Sequence, residues 1–186
     1  MNKKILILGD NHAKINIIKK IISYEKADIV IHTGDFNDRD DYGQHHMIDQ
    51  DFVDQQFNYY VLGNNGSGVV AKDEAEFKKN YYNDFKVFKI GNKKILLTHG
   101  YKTLEKDGYP EIFAYRNQII AQEKPDILIC GHTHVPEIYL QNTMLVINPG
   151  STDKPRFPSP ECGTYIVVDV NNDEWFCDIK RISEIK

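Results

Sequence analysis

Cysteine is scarce and odd in number: three among 186 residues, at positions 130, 162 and 177. Such a set builds no disulfide framework, and it predicts reduced thiols in a cytoplasmic protein. No apolar run approaches the roughly 20 residues that a bilayer-spanning helix needs, so no membrane partner is expected. Only four apolar residues separate Lys4 from Gly9, too few for the core of a signal peptide. Glycine (12) and proline (7) are at ordinary levels, which excludes collagen-like and low-complexity chains. Neither charge sign dominates: 23 basic against 27 acidic residues leave a net charge of −4. A general coat for nucleic acid or membrane surfaces is therefore excluded. What is present is 41% hydrophobic residues in a length that suits one domain over 1–186, with a real core.

The apolar pattern sets the order of elements. Residues 3–8 form a short apolar run ending at Gly9, and 29–32 form another ending before Gly34. Between them, Ile17, Ile18, Ile21 and Ile22 recur at helical spacing, with Lys19 and Lys20 opposite. Strand, helix and strand in that order predict a βαβ unit with parallel pairing. Residues 35–54 hold seven Asp and one Arg, a local charge of −6, and read as a loop with a short helix. Further strands are predicted at 59–62, 85–90, 94–98, 127–130, 138–140, 144–147, 164–170 and 175–179. Gly91-Asn92 forms a hairpin turn between two of them. A helix over 111–123, with Ile112, Tyr115, Ile119 and Ile120 as its apolar stripe, stops at Pro125. The whole reads as an α/β protein, a sandwich of two sheets with helices outside, without linker or internal repeat. The pairs Tyr59-Tyr60 and Tyr81-Tyr82 are candidates for a homo-oligomer surface.

The informative feature is where residues able to ligate a metal fall. Asp10 and His12 follow the first strand, Asp35 the second and Asn64 the third. His99 follows the 94–98 strand, and His132 and His134 follow the 127–130 strand. In open α/β sheets the ligand crevice lies beyond the carboxyl ends of the strands, so these seven side chains should converge. Seven ligands exceed one tetrahedral site and suit two ions that share a carboxylate. Imidazole with carboxylate suits Mn, Fe, Zn, Co or Ni better than Ca. Taken singly, Asp10, His12 or Asp35 reads more simply as a turn residue, His132-Thr133-His134 is the sharper signal, and the ordered conjunction carries the argument.

The motifs Asp10-x-His12, Gly34-Asp35, Gly63-Asn64, His99-Gly100 and Gly131-His132-Thr133-His134 resemble those of the calcineurin-like metallophosphoesterases. The short length and the following Asn148-Pro149-Gly150-Ser151 resemble its small YfcE/MJ0936-type phosphodiesterase branch, and the retromer subunit Vps29 is similar in fold. The resemblance implies a four-layer αββα sandwich of two mixed β-sheets. It implies two divalent metal ions, Mn foremost, with Ni, Fe, Co, Zn or Mg as alternatives. The first would be held by Asp10, His12, Asp35 and His134, the second by Asp35, Asn64, His99 and His132. Asp35, Asn64 and His99 would be the catalytic core, and a metal-bridged hydroxide would attack a phosphate ester in line.

This chain also departs from the family pattern. Many members carry His after the Gly-Asn pair as a proton donor to the leaving group. Here Asn65 and Gly66 stand instead, and Tyr101 replaces a second His after His99-Gly100. His45 or His46 could supply the missing acid, and Lys154 or Arg156 could meet the substrate's second ester group. The expected substrate is a small phosphodiester or nucleotide-like ester, because the acidic 35–54 segment disfavours a long nucleic acid. The competing reading is a catalytically weak, Vps29-like protein-binding scaffold, in which some ligands should have been lost.

Overall fold

The computed structural model describes residues 2–39, 45–46, 49–64, 84–100, 105, 108, 110–156 and 162–185. Twelve strands are present among them: β1 (Lys3–Leu8), β2 (Ile29–His32), β3 (Asp38–Arg39), β4 (His45–His46), β5 (Tyr59–Tyr60), β6 (Phe85–Ile90), β7 (Lys93–Thr98), β8 (Ile127–Ile129), β9 (Pro136–Gln141), β10 (Met144–Pro149), β11 (Thr164–Asn171) and β12 (Glu174–Arg181). The α-helices among the described residues are α1 (Ile15–Glu25), α2 (Gln50–Gln56) and α3 (Pro110–Glu123). Sheet I has the order β12-β11-β1-β2-β5, and sheet II the order β6-β7-β8-β10-β9. In sheet I, β1, β2 and β5 run parallel, with β11 antiparallel beside β1. In sheet II, β7, β8 and β10 run parallel, with β6 and β9 antiparallel at the edges. Both sheets are mixed, as expected.

Strand alternation assembles the layers. Ile5, Ile7, Ile31, Ile166 and Val168 of sheet I face Ile95, Leu97, Ile127, Ile129 and Ile147 of sheet II in one core. The alternate residues Leu6, Leu8, Val30, Tyr165 and Val167 turn outward onto Ile18 and Ile21 of α1 and Val53 of α2. On the far side, Leu96, Leu128 and Val146 meet Ile119 of α3. Strands buried on both faces read as continuous apolar runs, which is why β1, β2 and β7 stand out in the sequence. Each fully buried Ile or Leu contributes on the order of 1.5–3 kcal/mol. The result is the αββα sandwich.

The structure overturns one reading, the absence of an internal repeat. Lys4, the second residue of β1, donates its N–H to Asp28 Oδ2 at 2.8 Å, and its ammonium meets the carbonyl and the carboxylate of Glu25 at 2.9 and 2.6 Å. Lys94 repeats this on Asp126 at 2.8 Å and on Glu123 at 2.7 and 2.6 Å. After each helix a lysine turns left-handed, Lys26 (φ 48°) and Lys124 (φ 46°). The units β1-α1-β2 and β7-α3-β8 are thus built alike. The signal lies in two short stretches, Lys-Lys-Ile-Leu at 3–6 and 93–96 and Glu-Lys-x-Asp-Ile at 25–29 and 123–127. The turns between them differ in length, which hides the period.

Other departures are local. The third strand ends at Tyr60, short of the predicted Leu62, because the chain peels away toward Gly63. The acidic segment contains a two-residue ladder, Asp38 opposite His46 and Arg39 opposite His45, before α2. Asn65, Gly66, Tyr81, Tyr82 and Tyr101 lie outside the described residues, as do the side chains of His45 and His46.

Candidate metal centre

All seven predicted ligands meet at the carboxyl ends of the parallel strands. Sheet I supplies Asp10, His12, Asp35 and Asn64, and sheet II supplies His99, His132 and His134. Five of the seven have a positive φ: Asp10 (50°), His12 (43°), Asp35 (58°), His132 (75°) and His134 (62°). The left-handed region costs a non-glycine residue about 1–2 kcal/mol, although Asp and His tolerate it better than most. Backbone bonds between the loops hold it: Asp10 N–H donates to Gly34 O at 3.0 Å, His12 N–H to Asp35 O at 3.1 Å, and Asp35 N–H to Leu62 O at 2.9 Å. Each turn thereby aims its side chain back over the sheet edge.

Asp10, His12, Asp35 and His134 are all buried, and one ligand atom from each lies within 4.8 Å of the others. His12 Nε2 is 3.2 Å from His134 Nε2, and His134 Nε2 is 3.3 Å from Asp10 Oδ1. Beside this quartet, Asn64 Oδ1 lies 3.0 Å from both His99 Nε2 and His132 Nδ1. Asp35 Oδ1, 3.4 Å from His99 Nε2, connects the two groups. Asn64 and His132 are only half-buried and form the open side of the site.

A further layer orients the imidazoles. His99 Nδ1–H donates to Thr33 O at 2.7 Å, and His134 Nδ1–H donates to Lys154 O at 2.6 Å. Each leaves its Nε2 facing the centre, the arrangement that fixes a metal-ligating tautomer. Asp10 Oδ2 accepts the His132 N–H at 3.1 Å, while Ser151 Oγ donates to Asp10 O at 2.6 Å. Asn148 brackets His132 by donating to Gly131 O at 3.2 Å and Thr133 Oγ1 at 3.0 Å. The stretch from Asn148 to Ser151 is therefore a strand-ending turn that also fixes ligands. Lys154 and Arg156 hold His134 through their backbones, and both are exposed.

The electrostatics suit a cation. Asp10 Oδ1 is buried and accepts no hydrogen bond, an expensive arrangement for a carboxylate oxygen unless a positive charge faces it. For His99, burial works against the charged ring, but the Asp35 and Asp10 carboxylates and the Thr33 carbonyl outweigh it and push the pKa up to about 9. His12 is held below its usual value by burial, against the pull of Asp35 and Asp10. The donor set of carboxylate, amide oxygen and imidazole fits divalent transition ions and offers no thiolate.

Sequence reasoning missed His32, which lies under the site. It is fully buried, accepts the Gly34 N–H at Nδ1 (3.0 Å) and stacks on Phe36 at 3.9 Å. Burial, reinforced by His99, holds its pKa well below the usual value, so the ring is neutral. The glycines were visible in the sequence, but their reason was not. Gly63 has φ +79°, and a Cβ there would fall on Asp35 Oδ1. Gly63→Ala is predicted to cost at least ~2 kcal/mol, a drop in Tm of ~4–8 °C in a chain of this size. A melt unchanged from wild type would contradict this.

The fold and the site together define a phosphoesterase scaffold with strand-end ligands. Residues 3–173 match the calcineurin-like phosphoesterase superfamily domain, and the chain belongs to that family. A probable metallophosphoesterase of Mycoplasma genitalium is 28% identical over 172 residues, covering 92% of this chain and 90% of that protein. The phosphodiesterase MJ0936 of Methanocaldococcus jannaschii is 27% identical over 154 residues, 79% of this chain and 82% of its own length. Among solved structures, a predicted phosphoesterase from Streptococcus pneumoniae superposes with a TM-score of 0.69 at 22% identity, covering 98% of this chain and 91% of that one. Vps29 of Chaetomium thermophilum shares the fold, with a TM-score of 0.58 at 15% identity over 96% of both chains. No helix among the described residues is long and apolar enough to cross a membrane.

Proposed function

We propose that this chain is a dinuclear-metal phosphodiesterase acting on small phosphodiesters or nucleotide-like esters. The observation that carries the reading is the convergence of two Asp, four His and one Asn from five strand ends, with Asp35 between the two groups. Asp10, His12, Asp35 and His134 would hold one ion, and Asp35, Asn64, His99 and His132 the other. When bound, such a pair lowers the pKa of a shared water and offsets charge on the phosphoryl oxygens. The chain's own task is to fix that geometry: Thr33 O and Lys154 O aim two imidazoles, and Asp35 ties the groups together. Asn64 can ligate through oxygen and keep its NH2 to donate to a phosphoryl oxygen. The side chains of Lys154 and Arg156, exposed on the loop behind His134, are the candidates for the second ester group.

Manganese is the metal we assign first, and three cysteines outside any disulfide suit a cytoplasmic setting. Because Asn65 cannot donate a titrating proton, esters with low-pKa leaving groups should react fastest. The test compares a nitrophenyl diester with an alkyl phosphate ester across a panel of divalent metals. A nitrophenyl preference of about 100-fold or more is expected, the size of a lost general acid. Equal rates would remove the leaving-group argument. Silence with every metal would favour the binding scaffold instead.

A further inference from the structure

Asp84 is one of 17 aspartates in the chain, and nothing in its sequence neighbourhood marks it. In the structure it stands immediately before β6, against the loop that carries Asn64. Its carboxylate accepts two successive backbone N–H groups, Leu62 at Oδ1 (2.8 Å) and Gly63 at Oδ2 (2.7 Å). Its carbonyl accepts the Arg116 Nη1–H at 2.6 Å and, more weakly, the Thr98 hydroxyl at 3.4 Å. Thr98 immediately precedes His99, and Gly63 immediately precedes Asn64. One residue thus touches the approaches to two neighbouring site residues, one from each sheet.

Arg116 makes the arrangement unusual. It lies on the core-facing side of α3 and is 1% exposed, the largest fully buried side chain described. A buried guanidinium is costly unless its bonds are specific, and hydrophobic residues of similar volume serve stability equally well. Its bond reaches across to the residue whose carboxylate takes both the Leu62 and Gly63 N–H groups ahead of Asn64. Asn64 needs such support, because it follows a two-residue strand and lies on the half-buried side of the site.

We propose that Asp84, backed by Arg116, is a positioning residue that fixes Asn64 and so sets the affinity of the second of the two metal positions. The inference rests on the dinuclear reading above. The bidentate carboxylate stops the turn at Gly63 from relaxing and keeps Asn64 Oδ1 at the same distance from His99 and His132. Without it, Asp10, His12 and His134 keep supports that do not pass through the Leu62–Gly63 turn, while the Asn64 group loses one member.

The test uses the full-length protein with Asp84→Ala and the near-isosteric Asp84→Asn, whose amide can accept at only one atom. Metal-free wild type and variants are compared by amide hydrogen exchange at Leu62 and Gly63. Mn²⁺ binding is then titrated calorimetrically. At least about 10-fold faster exchange at both amides is expected in Asp84→Ala, with Asp84→Asn affected at one of them. The second Mn²⁺ should bind about 10–100-fold more weakly, the range for lost outer-layer support, while the first is unchanged. Unchanged exchange, two unchanged Mn²⁺ affinities, or equal weakening of both would overturn the assignment. Fewer than two ions on wild type would instead sink the dinuclear reading, and the exchange comparison would still decide whether Asp84 holds the loop.

Discussion

Asp35→Asn is expected to fold like the wild type and to lose hydrolysis by about 1,000-fold or more, about 4 kcal/mol of transition-state stabilisation. Both halves of that expectation come from the backbone. Asp35 sits at φ 58°, a region asparagine enters more readily than almost any residue except glycine. The substitution therefore adds no strain, and the shape of the side chain is kept. What changes is charge at the single point between the two ligand groups, 3.4 Å from His99. The loss of anionic character weakens both proposed metal positions together, so bound metal should fall along with kcat/KM. The same substitution should also return the His99 pKa toward its ordinary value, since Asp35 is the strongest influence raising it. Retention of more than a tenth of the activity would remove Asp35 from its proposed shared role.

The second large effect concerns acid and metal. In the metal-free protein His99 keeps its proton up to about 9, against 6.5 for an ordinary imidazole. A raised pKa in the folded state means that protonated His99 stabilises the fold fully below pH 6.5, and that this contribution is lost as pH rises through 9. His32 has the opposite sign. Its pKa is depressed, so its contribution is present above 6.5 and is lost as pH falls below that value. Metal-free protein should therefore show a stability maximum near pH 6.5, measured by thermal melts in chelator. Metal competes with the His99 proton, so uptake at that position should tighten about tenfold per pH unit between 7 and 9. Saturating metal should flatten the alkaline limb while leaving the acid limb in place. A metal affinity independent of pH across this range would refute the assignment of His99 as a ligand.

The sequence disclosed the ligands because their chemistry and their punctuation coincide. Asp10, Asp35, His99 and His132 each follow a continuous apolar run, and such runs are strands buried on both faces. It disclosed less about what holds them. The positive φ at five ligands leaves no distinct mark in the sequence, because Asp and His, though tolerant of it, occur far more often at negative φ. Asp84 and Leu62 are far apart in the chain, and their meeting depends on the register of two different sheets. Arg116 falls on the predicted stripe of α3, between Tyr115 and Ile119, yet a charged residue there reads as a solvated neighbour until its partner is known. The doubled βαβ unit was legible in principle, since Lys4, Glu25 and Asp28 and their counterparts keep their order. It was obscured because the connections between the matching stretches differ in length, and the two copies also end in different ligands.

That last difference bears on how the centre is dimensioned. Both site carboxylates descend from sheet I, and three of the four site imidazoles descend from sheet II. Among the described residues, no helix spans the gap between the two sets at the site itself. It is set by the thickness of the apolar layer beneath, where Ile5, Ile7 and Ile31 meet Ile95, Leu97 and Ile129. Face-to-face sheets settle about 10 Å apart, and their side chains determine the last few tenths of an ångström. The hydrocarbon volume of that layer thus works as a spacer gauge for the ligands above it. Residues that never approach a phosphate fix how far the aspartates stand from the histidines.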